Sequence, residues 1–120
     1  MKPIISTSVK GEIRVENRKM NYDFYINING KIIKRDPKFL HQDHSAMQSI
    51  SLIEASKIYD PNINEMIIGW DKNDHLALTN EATDFFEEKR CKIKLLPLKE
   101  AITYWNRYEG HAIGLFHIQK

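Results

Sequence analysis

Residues 71–75 carry side chains that could bind a metal ion. They read DKNDH, which resembles the start of a calcium-binding loop. An EF-hand loop needs glycine at its sixth position and a bidentate glutamate at its twelfth. Leu76 and Ala82 stand at those positions. The stretch therefore predicts a polar surface loop that does not bind calcium.

His41 and His44 are three residues apart, and Asp43 lies between them. A zinc site would need further ligands at suitable geometry, and the sequence indicates none. We interpret residues 36–48 as a solvated loop. We predict no metal and no cofactor for the chain.

Cys91 and His117 are the side chains best suited to nucleophilic or acid–base catalysis. Cys91 has no Cys or His partner in a recognised catalytic pattern, so packing at the start of a buried strand is the favoured interpretation. His117 ends an apolar strand, where a histidine serves either as a general base or, more often, as a hydrogen-bonded structural residue. No catalytic residue is predicted.

The first half of the chain has the alternation of β-strands. Asn29-Gly30 is a favoured sequence for a type I′ turn, so residues 22–35 are predicted to form a hairpin. Ser51 and Glu54 then fit a capping box, which starts a helix that ends before Asp60-Pro61. The alternating apolar residues are Ile13 and Val15, followed by Phe24, Ile26 and Ile28.

The second half alternates between strands and helices. Residues 66–69 are almost entirely apolar, which is typical of a strand covered on both faces. A helix over 81–90, capped by Asn80, and a strand over 91–96 complete a βαβ unit.

The next helix is predicted over 98–108, because its apolar residues, which include Trp105, form a single stripe. Gly110 suits the left-handed position that ends a helix. The final strand, 112–116, is apolar on both faces and is therefore predicted to be central in the sheet.

The bulk composition excludes several classes of function. The chain has 120 residues and a formal net charge of +2, and its charged residues are interspersed. Nucleic-acid binding usually needs a concentrated basic stripe, so no nucleic-acid partner is predicted. One cysteine excludes an internal disulfide and suits a reducing compartment, which predicts a cytoplasmic location.

The same numbers predict one domain over residues 1–120. No apolar run in the sequence is long enough to span a membrane, so the protein is predicted to be soluble. We expect a monomer or a weak homo-oligomer.

Motifs in the last third of the chain resemble the MTH-nine-three-eight-like family, a domain family of unknown function. Its members include a mitochondrial complex I assembly factor and an adipogenesis-associated protein. The resemblance covers about residues 11–118. The motifs are FFEEK at 85–89, LLP at 95–97, EAI at 100–102, WN at 105–106 and IGLFH at 113–117.

The resemblance implies an α/β fold of three layers, in which helices cover both faces of a mixed central sheet and a β hairpin is added. It also implies that the last strand runs antiparallel to the others. One departure has an energetic consequence. Leu98-Lys99 replaces the family's Thr-Pro helix start, which removes a side-chain cap worth roughly 1 kcal/mol.

A ligand site is predicted beyond the carboxyl ends of the parallel strands, where open α/β sheets bind their ligands. The helices that start near Asn80 and Lys99 would direct free N–H groups to that edge, which suits a small anionic ligand. An antiparallel last strand would place its start there too, with His117 at the opposite edge. The predicted ligand-binding residues are Gly69, Trp70, Asp71, Pro97, Leu98, Lys99 and His111.

Simpler interpretations exist for this edge. Gly69 could serve packing alone, and the helix N-termini could bind only water. Trp70 could be an exposed anchor for a protein partner, although packing over the sheet edge is the favoured interpretation.

Two functions fit these expectations. The favoured one is a non-catalytic accessory or interaction protein, since no set of nucleophile, base and oxyanion donors is recognisable. The resemblance extends it to the assembly of a respiratory or other membrane complex. The alternative is a small-molecule or anion-binding protein, or an enzyme, that uses the carboxyl edge. A deep polar pocket would favour the alternative, and a flat rim with exposed Trp70 would favour the first.

Overall fold

The computed structural model describes residues 2–8, 11–36, 49–70 and 78–118. The predicted loop over 36–48, apart from Asp36, lies outside the described residues, and so does the calcium-like stretch 71–75 with Asp71.

Two sheets and three helices make up the described structure. The smaller sheet is an antiparallel meander of three strands in the order β1-β2-β3. The larger sheet is mixed and has the order β5-β4-β8-β6-β7. The elements are β1 Ile5–Thr7, β2 Ile13–Val15, β3 Arg18–Lys19, β4 Phe24–Ile26, β5 Ile32–Lys34, α1 Leu52–Ile58, β6 Glu65–Gly69, α2 Asn80–Glu88, β7 Lys92–Leu96, α3 Leu98–Arg107 and β8 Ala112–Phe116.

The last strand, β8, is central and parallel to β6. Glu65 pairs with Ala112 at one end of β6, and Gly69 pairs with Phe116 at the other. The expected antiparallel orientation of β8 is therefore wrong. Helix α3 carries the chain back to the edge where β7 began, so the strand that follows it starts from that edge. The antiparallel neighbour is β4, whose Phe24 pairs with Phe116.

The expected three-layer α/β architecture is confirmed. On one face of the central sheet, α3 and the small sheet share a core with Ile67 and Phe116, and Trp105 of α3 is fully buried there. On the other face, α1 and α2 pack against Met66 and Ile68. Every residue of β6 and β8 is buried, which explains the continuous apolar runs at residues 66–69 and 112–116.

The predicted hairpin over residues 22–35 is confirmed as β4 and β5, but its turn differs from the prediction. A type I′ turn needs positive φ at two successive residues, and only the second of Asn29-Gly30 has it, with φ 82° at Gly30. The Gly30 N–H donates to the Asn27 carbonyl at 2.9 Å, and the Asn27 N–H donates to the Lys31 carbonyl at 3.0 Å. This is the three-residue connection in which a left-handed glycine follows the turn.

The helix starts follow local side-chain chemistry. The Ser51 hydroxyl accepts from the Glu54 N–H at 3.2 Å, so half of the predicted capping box is present. The other half is absent because the Glu54 carboxylate binds Arg35 instead. Thr79, not Asn80, caps α2, since its hydroxyl accepts from the Ala82 N–H at 3.1 Å.

Helix α3 confirms one expectation about its ends and corrects another. It begins after Pro97 without a side-chain cap, as the Leu98-Lys99 start predicts. It does not end in a left-handed glycine, because Tyr108 ends it with φ −71° and ψ 129°. Gly110 instead lies against the Tyr108 ring, where an added Cβ would be 2.7 Å from Oη.

Candidate functional site

The carboxyl ends of β6, β7 and β8 meet at one edge of the central sheet. The Trp70 N–H donates to the Leu96 carbonyl at 2.9 Å, and the His117 N–H donates to the Gly69 carbonyl at 2.9 Å. Of the seven predicted ligand-binding residues, five lie at this edge, and Asp71 lies outside the described residues. The five are Gly69, Trp70, Pro97, Leu98 and Lys99.

His111 lies at the opposite edge, which corrects its predicted place. Its carbonyl accepts from the Asn64 N–H at 2.8 Å, next to the first residues of β6. His111 and His117 occupy opposite edges, as expected, but it is His117 that lies at the carboxyl edge. The reason is the direction of β8, since a parallel last strand ends where β6 ends.

Gly69 is held by close packing. An added Cβ would lie 3.0 Å from the Ala101 Cβ and 3.1 Å from Leu98 Cδ1, which are both side chains of α3. The missing side chain therefore allows α3 to approach the end of β6. This geometry supports the packing interpretation of Gly69.

Trp70 is buried, with 5% of its surface exposed. Its ring stacks on the His117 imidazole, with 4.1 Å between centroids and 15° between planes. On the same ring, the Arg35 guanidinium carbon lies 5.5 Å from the centroid. The favoured packing interpretation is confirmed, and an exposed anchor at Trp70 is wrong.

A buried ionic cluster, which sequence reasoning missed, lies beside these rings. Arg35 binds Glu54 through two hydrogen bonds, Nε to Oε2 at 2.6 Å and Nη2 to Oε1 at 2.7 Å. Its Nη1 donates to Asp23 Oδ2 at 3.0 Å, and Nη2 also donates to the Ser49 carbonyl at 3.4 Å. The Arg35 side chain has no exposed surface. We call Asp23, Arg35, Glu54 and His117 the ionic cluster.

Asp23 joins Arg35 to His117 within the ionic cluster. Asp23 Oδ2 lies 2.7 Å from His117 Nδ1, and Oδ1 accepts from the Ile118 N–H at 2.8 Å. Burial acts to raise the pKa of Asp23, but the hydrogen bond and charge of His117, the Ile118 N–H and Arg35 together hold it below its usual value. The cluster therefore favours an ionised Asp23.

The Arg35 side chain is held in its charged form. Burial acts to lower its pKa, but the hydrogen bond and charge of Glu54, followed by those of Asp23, raise it above its ordinary value. The cluster connects the β4–β5 hairpin to α1 and to the end of β8. Beside Glu54, a cleft of about 180 Å³ extends to Tyr25 and Lys57.

A larger groove lies between β7 and α3, and we call it the β7–α3 groove. Its volume is about 500 Å³. Tyr104 stands in it, with its hydroxyl donating to the buried Glu65 carboxylate, and this hydrogen bond raises the pKa of Tyr104 to about 12. The groove residues are Lys94, Leu96, Lys99, Glu100, Thr103, Tyr104 and Arg107.

The β7–α3 groove carries an excess of positive charge. Lys94, Lys99 and Arg107 face it with a single acidic residue, Glu100. Within the described ranges, no ion pair involves any of the three cations. Lys94 Nζ lies instead 5.3 Å from the centroid of the Tyr104 ring, a cation–π arrangement. The groove thus combines the apolar surface of Leu96 and Tyr104 with an excess of cations.

Cys91 lies near the amino edge and has the properties of a packing residue. Its side chain is buried, and the thiol is free. Burial, followed by the nearby charge of Glu65, raises its pKa to about 11. A nucleophilic cysteine needs a lowered pKa, so this environment opposes that role. Over the described residues, no group of three His, Cys, Asp or Glu is placed to hold a metal ion.

Comparison with known proteins shows the fold. No family model matches the chain, and no curated protein matches it. The conserved hypothetical protein PH1505 from Pyrococcus horikoshii OT3 superposes with a TM-score of 0.80 at 18% identity, over 100% of both chains. MT938 superposes with a TM-score of 0.75 at 16% identity, over 99% of this chain and 100% of its own. The chain has the MT938 fold.

The resemblance seen in the sequence is thus confirmed at the level of the fold. A third structure with the MT938 fold is described as an outer membrane protein from Bartonella henselae, with a TM-score of 0.64 at 14% identity over 99% of this chain and 97% of its own. In the present chain, no helix of the described part is long and apolar enough to cross a membrane. The names of PH1505 and MT938 carry no description of function.

Proposed function

We propose that this MT938-fold protein is a non-catalytic accessory protein that binds a partner polypeptide in the β7–α3 groove. The observation that carries the proposal is the groove itself, which is lined by Leu96 and Tyr104 together with three cations that have no ion pairs in the described structure. Apolar surface with a charged rim is the usual composition of a protein-binding site.

The contacts of Arg35 and Trp70 at the carboxyl edge favour the groove over that edge as the binding site. The guanidinium of Arg35 is fully buried and directs Nε, Nη1 and Nη2 to partners within the chain. An anionic ligand would have to displace Asp23 or Glu54 to reach it. Trp70 is covered as well, so it offers a partner polypeptide no exposed aromatic anchor. The exposed cation that the structure places at this edge, Lys99, faces the β7–α3 groove.

A second candidate is binding of a small molecule at the carboxyl edge, and the position of His117 favours it. Asp23 orients His117 through Nδ1, and its side chain keeps 13% exposure. A histidine oriented in this way by a carboxylate has Nε2 available to exchange a proton. A thermal-shift screen of small anions would support this candidate if hits stabilise the wild type and are lost in His117→Gln.

The groove proposal is tested by site-specific photo-crosslinking in the native host. A photoreactive residue at the exposed position Thr103 should form a discrete adduct with one protein, whereas the same residue at Asn29, at the exposed tip of the hairpin, should not. The added change Lys99→Glu should abolish the Thr103 adduct. Equal adducts at both positions, or an adduct that survives Lys99→Glu, would contradict the proposal.

The setting of this function is also a proposal. The resemblance described above favours the assembly of a respiratory or other membrane complex. A free, buried Cys91 supports a reducing compartment such as the cytoplasm.

A further inference from the structure

We propose that the groove's occupant is an extended polypeptide segment that adds a sixth strand to the outer edge of β7, with acidic side chains toward α3 and aliphatic side chains on the other face. This inference rests on the proposed function and specifies the chemistry of the partner. Three independent features of β7 support it: its backbone, its charged face and its apolar face.

The backbone of β7 has groups on its outer side that no other described strand pairs with. The Lys92 N–H donates to the Asn64 carbonyl at 3.1 Å, and the Leu96 carbonyl accepts from the Trp70 N–H at 2.9 Å, so both residues direct their backbone groups toward β6. Successive residues of a strand direct these groups to opposite sides, so those of Ile93 and Leu95 point outward. In the described part of the chain β7 pairs with β6 alone, which leaves a strand edge able to accept another chain.

The face of β7 toward α3 selects acidic side chains. Lys94 and Leu96 lie on this face and line the groove, and Lys92 shares it by the period of two. Lys99 and Arg107 approach from α3. A strand added at the edge would place every second side chain over these cations, where carboxylates are attracted and lysines are repelled.

The other face of β7 selects aliphatic side chains. Ile93 packs against the core that contains Phe86, while Leu95 is 38% exposed at the edge of that core. An added strand would extend the sheet there and would cover Leu95 with every second side chain. The complementary segment therefore alternates acidic and aliphatic residues.

A second copy of this chain fits the edge poorly. Pairing of two β7 edges would bring Lys92 and Lys94 of both copies onto the same face of one sheet, where like charges repel. Nucleic acid would match the cations, but it would leave the outward N–H groups and Leu95 without partners. An acidic extended segment satisfies all three features.

The test measures the affinity of the purified protein for a fluorescent seven-residue peptide of alternating Asp and Val. The control peptide has the same composition, with its Asp and Val residues in two separate blocks. The alternating peptide should bind at least tenfold more tightly. Lys94→Glu and Lys99→Glu should each weaken it roughly tenfold, whereas Lys31→Glu, at an exposed hairpin position, should leave it unchanged.

Amide hydrogen exchange by NMR separates strand addition from simple charge attraction. The bound peptide should slow exchange at Ile93 and Leu95 and leave Lys94, whose amide already faces β6, unchanged. Equal binding of both peptides, tighter binding of a single-stranded oligonucleotide, self-association through β7, or binding without this alternating protection would each overturn the inference.

The two proposals fail in different ways. If the crosslinker at Thr103 captures a partner that Lys99→Glu releases, but neither peptide binds, strand addition is wrong and the groove proposal stands. If crosslinking at Thr103 captures nothing beyond the Asn29 control and neither peptide binds, both proposals are wrong.

Discussion

Replacing Arg35 by methionine should destabilise the protein strongly, because it removes the cation that two buried carboxylates share. Glu54 is 1% exposed and Asp23 is 8% exposed, and Arg35 bonds to both. Methionine has a similar length and no charge. The substitution therefore leaves the space largely filled and isolates the electrostatic effect from a cavity effect.

The expected loss follows from the cost of an unpaired buried charge. Breaking a buried ion pair by removing one partner typically costs about 3–5 kcal/mol. Glu54 loses two hydrogen bonds from Arg35, while Asp23 keeps those to His117 and Ile118, so most of the loss falls on Glu54. We expect about 3–4 kcal/mol, which is a large share of the roughly 5–15 kcal/mol that stabilises an ordinary domain.

Urea unfolding at pH 7, followed by the fluorescence of the buried Trp70 and Trp105, measures this loss. Lys31→Met, at an exposed position, is the control and should change the free energy of unfolding by less than about 0.5 kcal/mol. Adding Glu54→Gln to Arg35→Met should recover at least about 1 kcal/mol, because it removes the stranded charge. A loss below about 1 kcal/mol in Arg35→Met, or no recovery in the double variant, would refute this account of the ionic cluster.

Three further predictions concern other groups. A carbon-13 titration of the Asp23 carboxyl should give a midpoint below 3.8 in the folded protein. The stability that Asp23 supplies should therefore be complete above pH 4 and should be lost as the pH falls through that midpoint. A midpoint at or above 3.8 would contradict the role of His117. Gly114→Ala should lower the free energy of unfolding in urea by about 2 kcal/mol or more, because its Cβ would lie 2.7 Å from Phe116 Cε2 and 2.9 Å from Trp105 Cζ3. A loss under about 0.5 kcal/mol would show that the two rings move aside freely. Iodoacetamide at pH 8 should alkylate Cys91 at least a hundredfold more slowly in the folded than in the urea-unfolded protein, since a pKa of about 11 leaves little thiolate. Equal rates of alkylation would contradict the burial of the thiol.

The sequence predicted best what depends on local periodicity. The single apolar stripe of α3 and the continuous apolar runs of β6 and β8 correspond to buried faces, and the central place of β8 followed from its two apolar faces. The hairpin was also predictable, although its turn type was not. Asn29-Gly30 permits two connections, and the strand pairing at Asn27 and Lys31 selects between them.

The ionic cluster could not be predicted in the same way. Its members come from the hairpin, from α1 and from the end of β8, so no local spacing relates them. The sequence predicted Glu54 as the second half of a capping box, and only the tertiary structure brings Arg35 within 2.6 Å of it. The direction of β8 determines which histidine lies in the ionic cluster. The family resemblance implied an antiparallel β8, and the prediction based on it placed His117 at the wrong edge.

The position of β8 in the sheet affects how the chain can fold. β8 alone bonds to both β4 and β6, so it joins the hairpin half of the sheet to the parallel half. Phe24 and its partner Phe116 are about 90 residues apart in sequence, a separation that slows the formation of such pairs. During synthesis, β4, β6 and β7 emerge before the strand that unites them. The edges of β4 and β6 that pair with β8 therefore stay exposed to other chains until β8 has left the ribosome.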